Sequence, residues 1–157
     1  MLLISDANIF IDFESAGLTT QLFRLPVTIA VPDILFYEEL EEMHSDLLSL
    51  GLTLKEVRSE YMAKIPLWQK SYGFRVSSND YLALALAKQE RCPLVTGDMA
   101  LRKVAVLEKI ELRGTMYLMQ QLMTLNLVST AEMKLATERM KQQKRRLPWS
   151  LMEALWK

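Results

Sequence analysis

Four acids, far apart in the chain, stand where local structure and metal chemistry make the same demand: Asp6 in LLISDANIFIDF, Glu39 in LFYEELEE, Asp80 in SSNDYLALALAKQER and Asp98 in LVTGDMALRKVA. The chain supplies little else for catalysis. One histidine, His44, and one cysteine, Cys92, among 157 residues leave no zinc cage, no internal disulfide and poor means for a histidine base or a cysteine nucleophile. Carboxylates gathered without nitrogen or sulfur partners form a hard, oxygen-rich site suited to Mg2+ or Mn2+. Such a site does phosphoryl chemistry: it activates water, neutralises charge on phosphate oxygens and stabilises the leaving oxygen. Because clustered carboxylates repel, at least one should hold a raised pKa without metal, and activity should fall on acidification.

Each acid also has a purely structural reading. Asp6 and Asp98 precede predicted helices, where aspartate is a favoured N-cap, yet both also fall at strand ends, where open parallel sheets bind their ligands. Asp80 shares a helix face with Ala83, Leu84 and Ala87, an inward face where a carboxylate needs a charge partner. It equally fits the third position of a capping box begun by Ser77. In YEELEE, Phe36, Leu40, Met43 and Leu47 define the buried sector. At about 100° per residue Glu39 projects roughly 90° from its centre, and Glu38, Glu41 and Glu42 lie further round as solvated acids.

The elements that must position these acids alternate. Strands are predicted at Leu2 to Ser5, Val27 to Val31, within TLKEVR, at Leu94 to Thr96 and over IELR. Helices are predicted from Ala7 to Ala16, stopped by Gly17; from Pro32 to Gly51; through SEYMAKIPLWQKSYG, disturbed by Pro66; through SSNDYLALALAKQER, ended by Pro93; and through MALRKVAVLEK and GTMYLMQQLMTLN. Such alternation specifies a three-layer α/β/α sandwich with a mainly parallel central sheet. The tail differs: STAEMKLATERMKQQKRR is an amphipathic helix, and LPWSLMEALWK restarts after Pro148 with Trp149, Met152 and Trp156 as anchors. We expect residues 1–128 to form the domain and 129–157 a helical extension associated with it.

Nineteen basic and nineteen acidic side chains cancel, so nothing draws the whole chain to nucleic acid or anionic membrane. Half the residues are hydrophobic and a quarter charged, as in a packed soluble domain. Without a signal peptide or a long apolar span, the expectation is a cytoplasmic protein with no membrane partner.

The run SDANIFIDF, then VPDILFYEEL, then SSNDYLALALAKQERCPLVTGD and MALRKVA resemble the successive motifs of the PIN-domain family, over Leu2 to Leu125. The resemblance implies a fold similar to flap-endonuclease-type nucleases and Mg2+- or Mn2+-dependent cleavage of RNA. It also implies a place as the toxin of a VapBC-type toxin-antitoxin pair, with a small antitoxin partner and a homodimeric state. Position by position, Asp6, Glu39, Asp80 and Asp98 match the four catalytic acids, with Asp6, Asp80 and Asp98 as metal ligands. Asn8 and Thr96 match supporting polar residues. Met99 to Arg102 holds no further acid, which departs from members that carry one there.

Other conspicuous residues have competing readings. Arg102 and Lys103, or the run Lys141, Lys144, Arg145 and Arg146, are candidates for phosphate contact, and the run equally reads as a solvated helix end. Tyr72 and Tyr81 suit the core as well as base stacking; Cys92 reads as a small buried residue and His44 as surface. Met116, Met119 and Met123, with Trp149 and Trp156, form a core stripe or a docking face for a dimer mate or antitoxin. Against the nuclease stands a non-catalytic PIN-like module that binds RNA or a protein. A receiver or phosphatase is a third possibility, but a receiver wants lysine where the IELR strand carries Arg113.

Overall fold

β1 (Leu2–Ser5) is the hub of a five-stranded sheet in the computed structural model, which describes residues 1–156. The order is β3 (Thr53–Lys55), β2 (Thr28–Pro32), β1, β4 (Leu94–Val95), β5 (Leu112–Arg113), and every neighbouring pair is parallel. The chain winds outward from β1 to β2 and β3, then returns across the sheet to β4 and β5. Since parallel crossovers are right-handed, the two halves send their helices to opposite faces, and a crevice opens between the carboxyl ends of β1 and β4. The predicted α/β/α fold is therefore present.

α1 (Ala7–Ala16) buries Ile9, Phe10 and Phe13 and ends where Gly17, at φ 73°, turns left-handed. α8 (Ser78–Glu90) is buried on all sides from Tyr81 to Ala87 and packs against β1, β2 and β4. Helix formation there comes from the Leu-Ala run, and the chain leaves it through Arg91 in the left-handed region at φ 54°. The Tyr81 hydroxyl donates to the Gly73 carbonyl at 2.8 Å, so this ring is core and not a base-stacking surface.

Several boundaries differ from the sequence reading. β2 begins at Thr28, because Val27 N–H turns back to the Leu25 carbonyl; β3 keeps only three residues, β4 stops before Thr96, and β5 omits Ile110 and Glu111. An unforeseen turn, α2 (Thr19–Leu22), follows α1. The predicted helix from Pro32 to Gly51 is four pieces: α3 (Asp33–Leu35), a π-helical turn (Phe36–Leu40), α4 (Glu41–His44) and α5 (Asp46–Leu50). Met43, placed by the unbroken-helix argument in the buried sector, is 79 % exposed. The segment around Pro66 divides at Ala63 into α6 (Ser59–Met62) and α7 (Lys64–Tyr72), with Pro66 in the first turn of α7, where its missing N–H costs nothing.

α9 (Met99–Leu107) ends two residues earlier than read, and α10 (Thr115–Thr124) follows Gly114. In the tail, α11 (Thr130–Gln142) starts from a complete capping box of Ser129 and Glu132 and packs on α1 and α10. α12 (Trp149–Leu155) buries Met152, and Trp156 is buried beside it; the predicted end of this helix at Lys157 lies outside the described residues. Met133, Ala136 and Met140 belong to the same core as the sheet.

Candidate active site

The register of β1 on β4 pairs Ile4 with Leu94 and Ser5 with Val95. The next residue out on each side is Asp6 and Thr96, so backbone pairing alone brings them together where both strands end. The Thr96 hydroxyl donates to Asp6 Oδ2, and Ile9 N–H donates to Asp6 Oδ1 at 3.3 Å. Asp6 is thus the N-cap of α1 as well as an acid of the crevice. It is fully buried at 0 % exposure, and that burial, reinforced by the charge of Asp80, pushes its pKa from 3.8 up to about 7 despite the Thr96 bond.

Asp98 occupies the matching place after β4. Its N–H donates to Thr96 Oγ1 at 3.0 Å, and its Oδ1 caps α9 by accepting from Ala100 N–H at 2.8 Å and Leu101 N–H at 3.2 Å. Asp80, in the first turn of α8, is half-buried and donates its N–H to Ser77 Oγ at 3.1 Å. Burial and then the neighbouring Asp98 charge, with Glu39 adding a smaller push, raise Asp80 to about 6. Asp80 therefore feels Asp98 and Glu39 and is felt by Asp6, which places the four acids in one electrostatic neighbourhood.

Glu39 comes to that neighbourhood by a different route from the one its sequence suggests. It lies in the π turn, where Glu41 N–H reaches back five residues to the Phe36 carbonyl, and its side chain is exposed. Asn8 is also exposed, and among the described residues its side chain hydrogen-bonds to none of the four acids. Among the described residues no three acid, histidine or cysteine side chains are closed up into a metal cluster. Oxygens of Asp6 and Asp98 are engaged with helix N–H groups and Thr96 instead.

Three charged features have partners that the sequence does not reveal. Asp12 is buried on α1, accepts from Thr115 Oγ1 at 3.0 Å and pairs with Arg145 Nε at 2.6 Å; burial raises its pKa, and Arg145 opposes the rise. An acid inside the apolar spacing Ile9, Phe10, Phe13 is a signal that could have announced a buried partner. His44 is not free on the surface: its Nδ1 meets Glu14 Oε2 at 2.7 Å, tying α4 to α1. The basic run is partly spent within the fold, since Lys141 pairs with Glu153 and lies over Trp149 while Arg145 holds Asp12. Cys92 is half-buried with its thiol pushed up to about 11, chiefly by burial, which removes it as a nucleophile.

The family profile described as PIN domain matches residues 2–157. No curated protein matches the chain. Among solved structures, it is similar to a chain in the crystal structure of VapBC2 from Rickettsia felis bound to a DNA fragment from their promoter. The match has 18 % identity and a TM-score of 0.53 and covers 73 % of this chain and 98 % of that one. At that identity the likeness is one of fold.

Proposed function

The chain belongs to the PIN-domain family, and from that premise we propose that it is a metal-dependent endoribonuclease cleaving RNA phosphodiester bonds, the toxin of a VapBC-type pair. Asp6 carries the reading. A wholly buried carboxylate at a strand end, crowded by Asp80 and with no cationic side chain paired to it among the described residues, holds its proton up to about pH 7 and favours a cation in the proton's place once ionised. The donor set, all carboxylate oxygen, fits Mg2+ or Mn2+. Asp6, Asp80 and Asp98 would hold the cation, which when bound supplies Lewis-acid charge for the phosphate oxygens and acidifies an attacking water. Thr96 aims Asp6 and ties it to the Asp98 backbone. Glu39, the exposed acid, orients that water and accepts its proton.

The test is Mn2+-dependent cleavage of single-stranded RNA by the purified protein beside Asp6→Asn and Asp98→Asn. We expect each substitution to reduce cleavage at least about a hundredfold; equal residual cleavage in all three would overturn the active-site assignment, and no cleavage by the wild type would leave a non-catalytic RNA- or protein-binding module as the reading. The toxin assignment draws support from the VapBC2 likeness and expects a small antitoxin encoded beside this gene, cytoplasmic action and a homodimer by light scattering. A gene standing alone would count against the pairing.

A further inference from the structure

Arg102, in the second turn of α9, points its guanidinium back at the ends of β4 and β5. Its Nη1 donates to the Thr96 carbonyl at 2.7 Å and lies 3.4 Å from the Arg113 carbonyl. Thr96 thus touches Arg102 through its carbonyl and Asp6 through its hydroxyl, so a single residue separates this cation from the deepest acid of the site.

What distinguishes Arg102 is how it is held. Near it Arg113 is paired with Glu111, and further away Lys88 is paired with Glu108, Lys141 with Glu153 and Arg145 with Asp12. Those charges are cancelled locally. Arg102 has no ion pair among the described residues; it is fastened by carbonyl dipoles, which fix its position but leave its charge whole. No buried side-chain nitrogen among the described residues lacks a partner, so the Nε and Nη2 groups of this half-buried residue, which have no acceptor, are in reach of solvent. A guanidinium pinned at one nitrogen with its remaining N–H fork open is preorganised to take a tetrahedral oxyanion, because little side-chain entropy is left to lose. In a chain with no net charge, a polyanion approaching four acids needs such a fixed cation beside them.

We propose that Arg102 is a phosphate-binding residue, which holds an RNA backbone phosphate at the edge of the acidic crevice. This rests on the ribonuclease reading of that crevice, and its test is separable from it. Binding of a single-stranded RNA oligonucleotide, left uncut because EDTA removes the metal, is followed by fluorescence anisotropy from 50 to 300 mM salt. Arg102→Gln keeps an amide N–H for the Thr96 carbonyl but removes the charge; Arg102→Lys keeps the charge; Lys103→Gln removes an exposed charge from the same helix. The expected result for Arg102→Gln is a Kd about tenfold higher and a slope of log Kd against log salt lower by about 0.7, one phosphate contact on a single strand. Arg102→Lys should keep the slope, and Lys103→Gln should stay within about twofold of the wild type.

An unchanged Kd and slope in Arg102→Gln would make Arg102 a strand-end clamp only and overturn the proposal, as would an equal loss in Lys103→Gln or no binding by the wild type. Should Arg102→Gln fail to fold, phenylglyoxal labelling of wild-type Arg102, read by peptide mass spectrometry, decides instead. Protection by the oligonucleotide supports phosphate contact; undiminished labelling refutes it. Absence of Mn2+-dependent cleavage would sink the ribonuclease reading while leaving this binding measurement in force.

Discussion

Thr96 uses one hydroxyl oxygen twice, donating to Asp6 and accepting from the Asp98 N–H. Thr96→Val keeps the shape but strands a buried carboxylate, so we expect a loss of about 1–3 kcal/mol in urea unfolding and a fall of about 10- to 100-fold in cleavage. The titration of the acids has a definite sign. Asp6 and Asp80 have folded pKa values near 7 and 6 against 3.8 for a free aspartate, so the folded state holds the extra protons. That stabilisation is complete below about pH 4 and is lost as pH rises through 6 and 7. Metal-free protein should melt at a lower temperature at pH 8 than at pH 5, and Mn2+ should raise the melting temperature at pH 8 with little effect at pH 5. A melting temperature indifferent to Mn2+ at pH 8 would contradict a carboxylate metal site.

At the scale of elements, the π turn is the feature that sequence periodicity could not reveal. Period reading recovers helix existence from apolar spacing, and α1, α8 and the acids at the ends of β1 and β4 are legible because they depend on local signals: strand run, cap, Gly stop. It places Glu39 on a smooth α-helix, whereas the extra residue in Phe36–Leu40 resets the angle and leaves Met43 in solvent. Helical periodicity therefore does not give the direction in which Glu39 projects. Deleting the exposed Tyr37 should restore an α-helical register on both flanks, keep far-UV circular dichroism and melting within a few degrees, and rotate Glu39 away. Cleavage would then fall more than about tenfold. Retained cleavage would show that the π turn does not position Glu39. β4 and β5 are shorter than their predicted runs for a related reason: ladder pairing stops where neighbours end, and that is information from across the sheet.

At the scale of the whole molecule, Arg145 and Asp12 tie the tail to α1, and we regard residues 129–157 as an extension of the 1–128 domain. The Asp12 side chain is 8 % exposed and Arg145 26 %, so Arg145→Ala should cost about 3 kcal/mol by leaving a buried charge unpaired. Without its partner Asp12 will titrate higher still, so the loss should be smaller at pH 5 than at pH 8 in urea unfolding; equal loss at both would mean the cost is packing alone. The pair joins residues 133 positions apart, and the Asp6 to Thr96 bond joins residues 90 apart. Contacts of that span close last, since nothing offsets the loop entropy until both ends exist. During synthesis, Asp6 emerges first and waits for a partner that the ribosome has yet to make. The proposed cleavage site is therefore closed to chemistry until Thr96 and Asp98 have left the ribosome, whatever Asp6 meets before then.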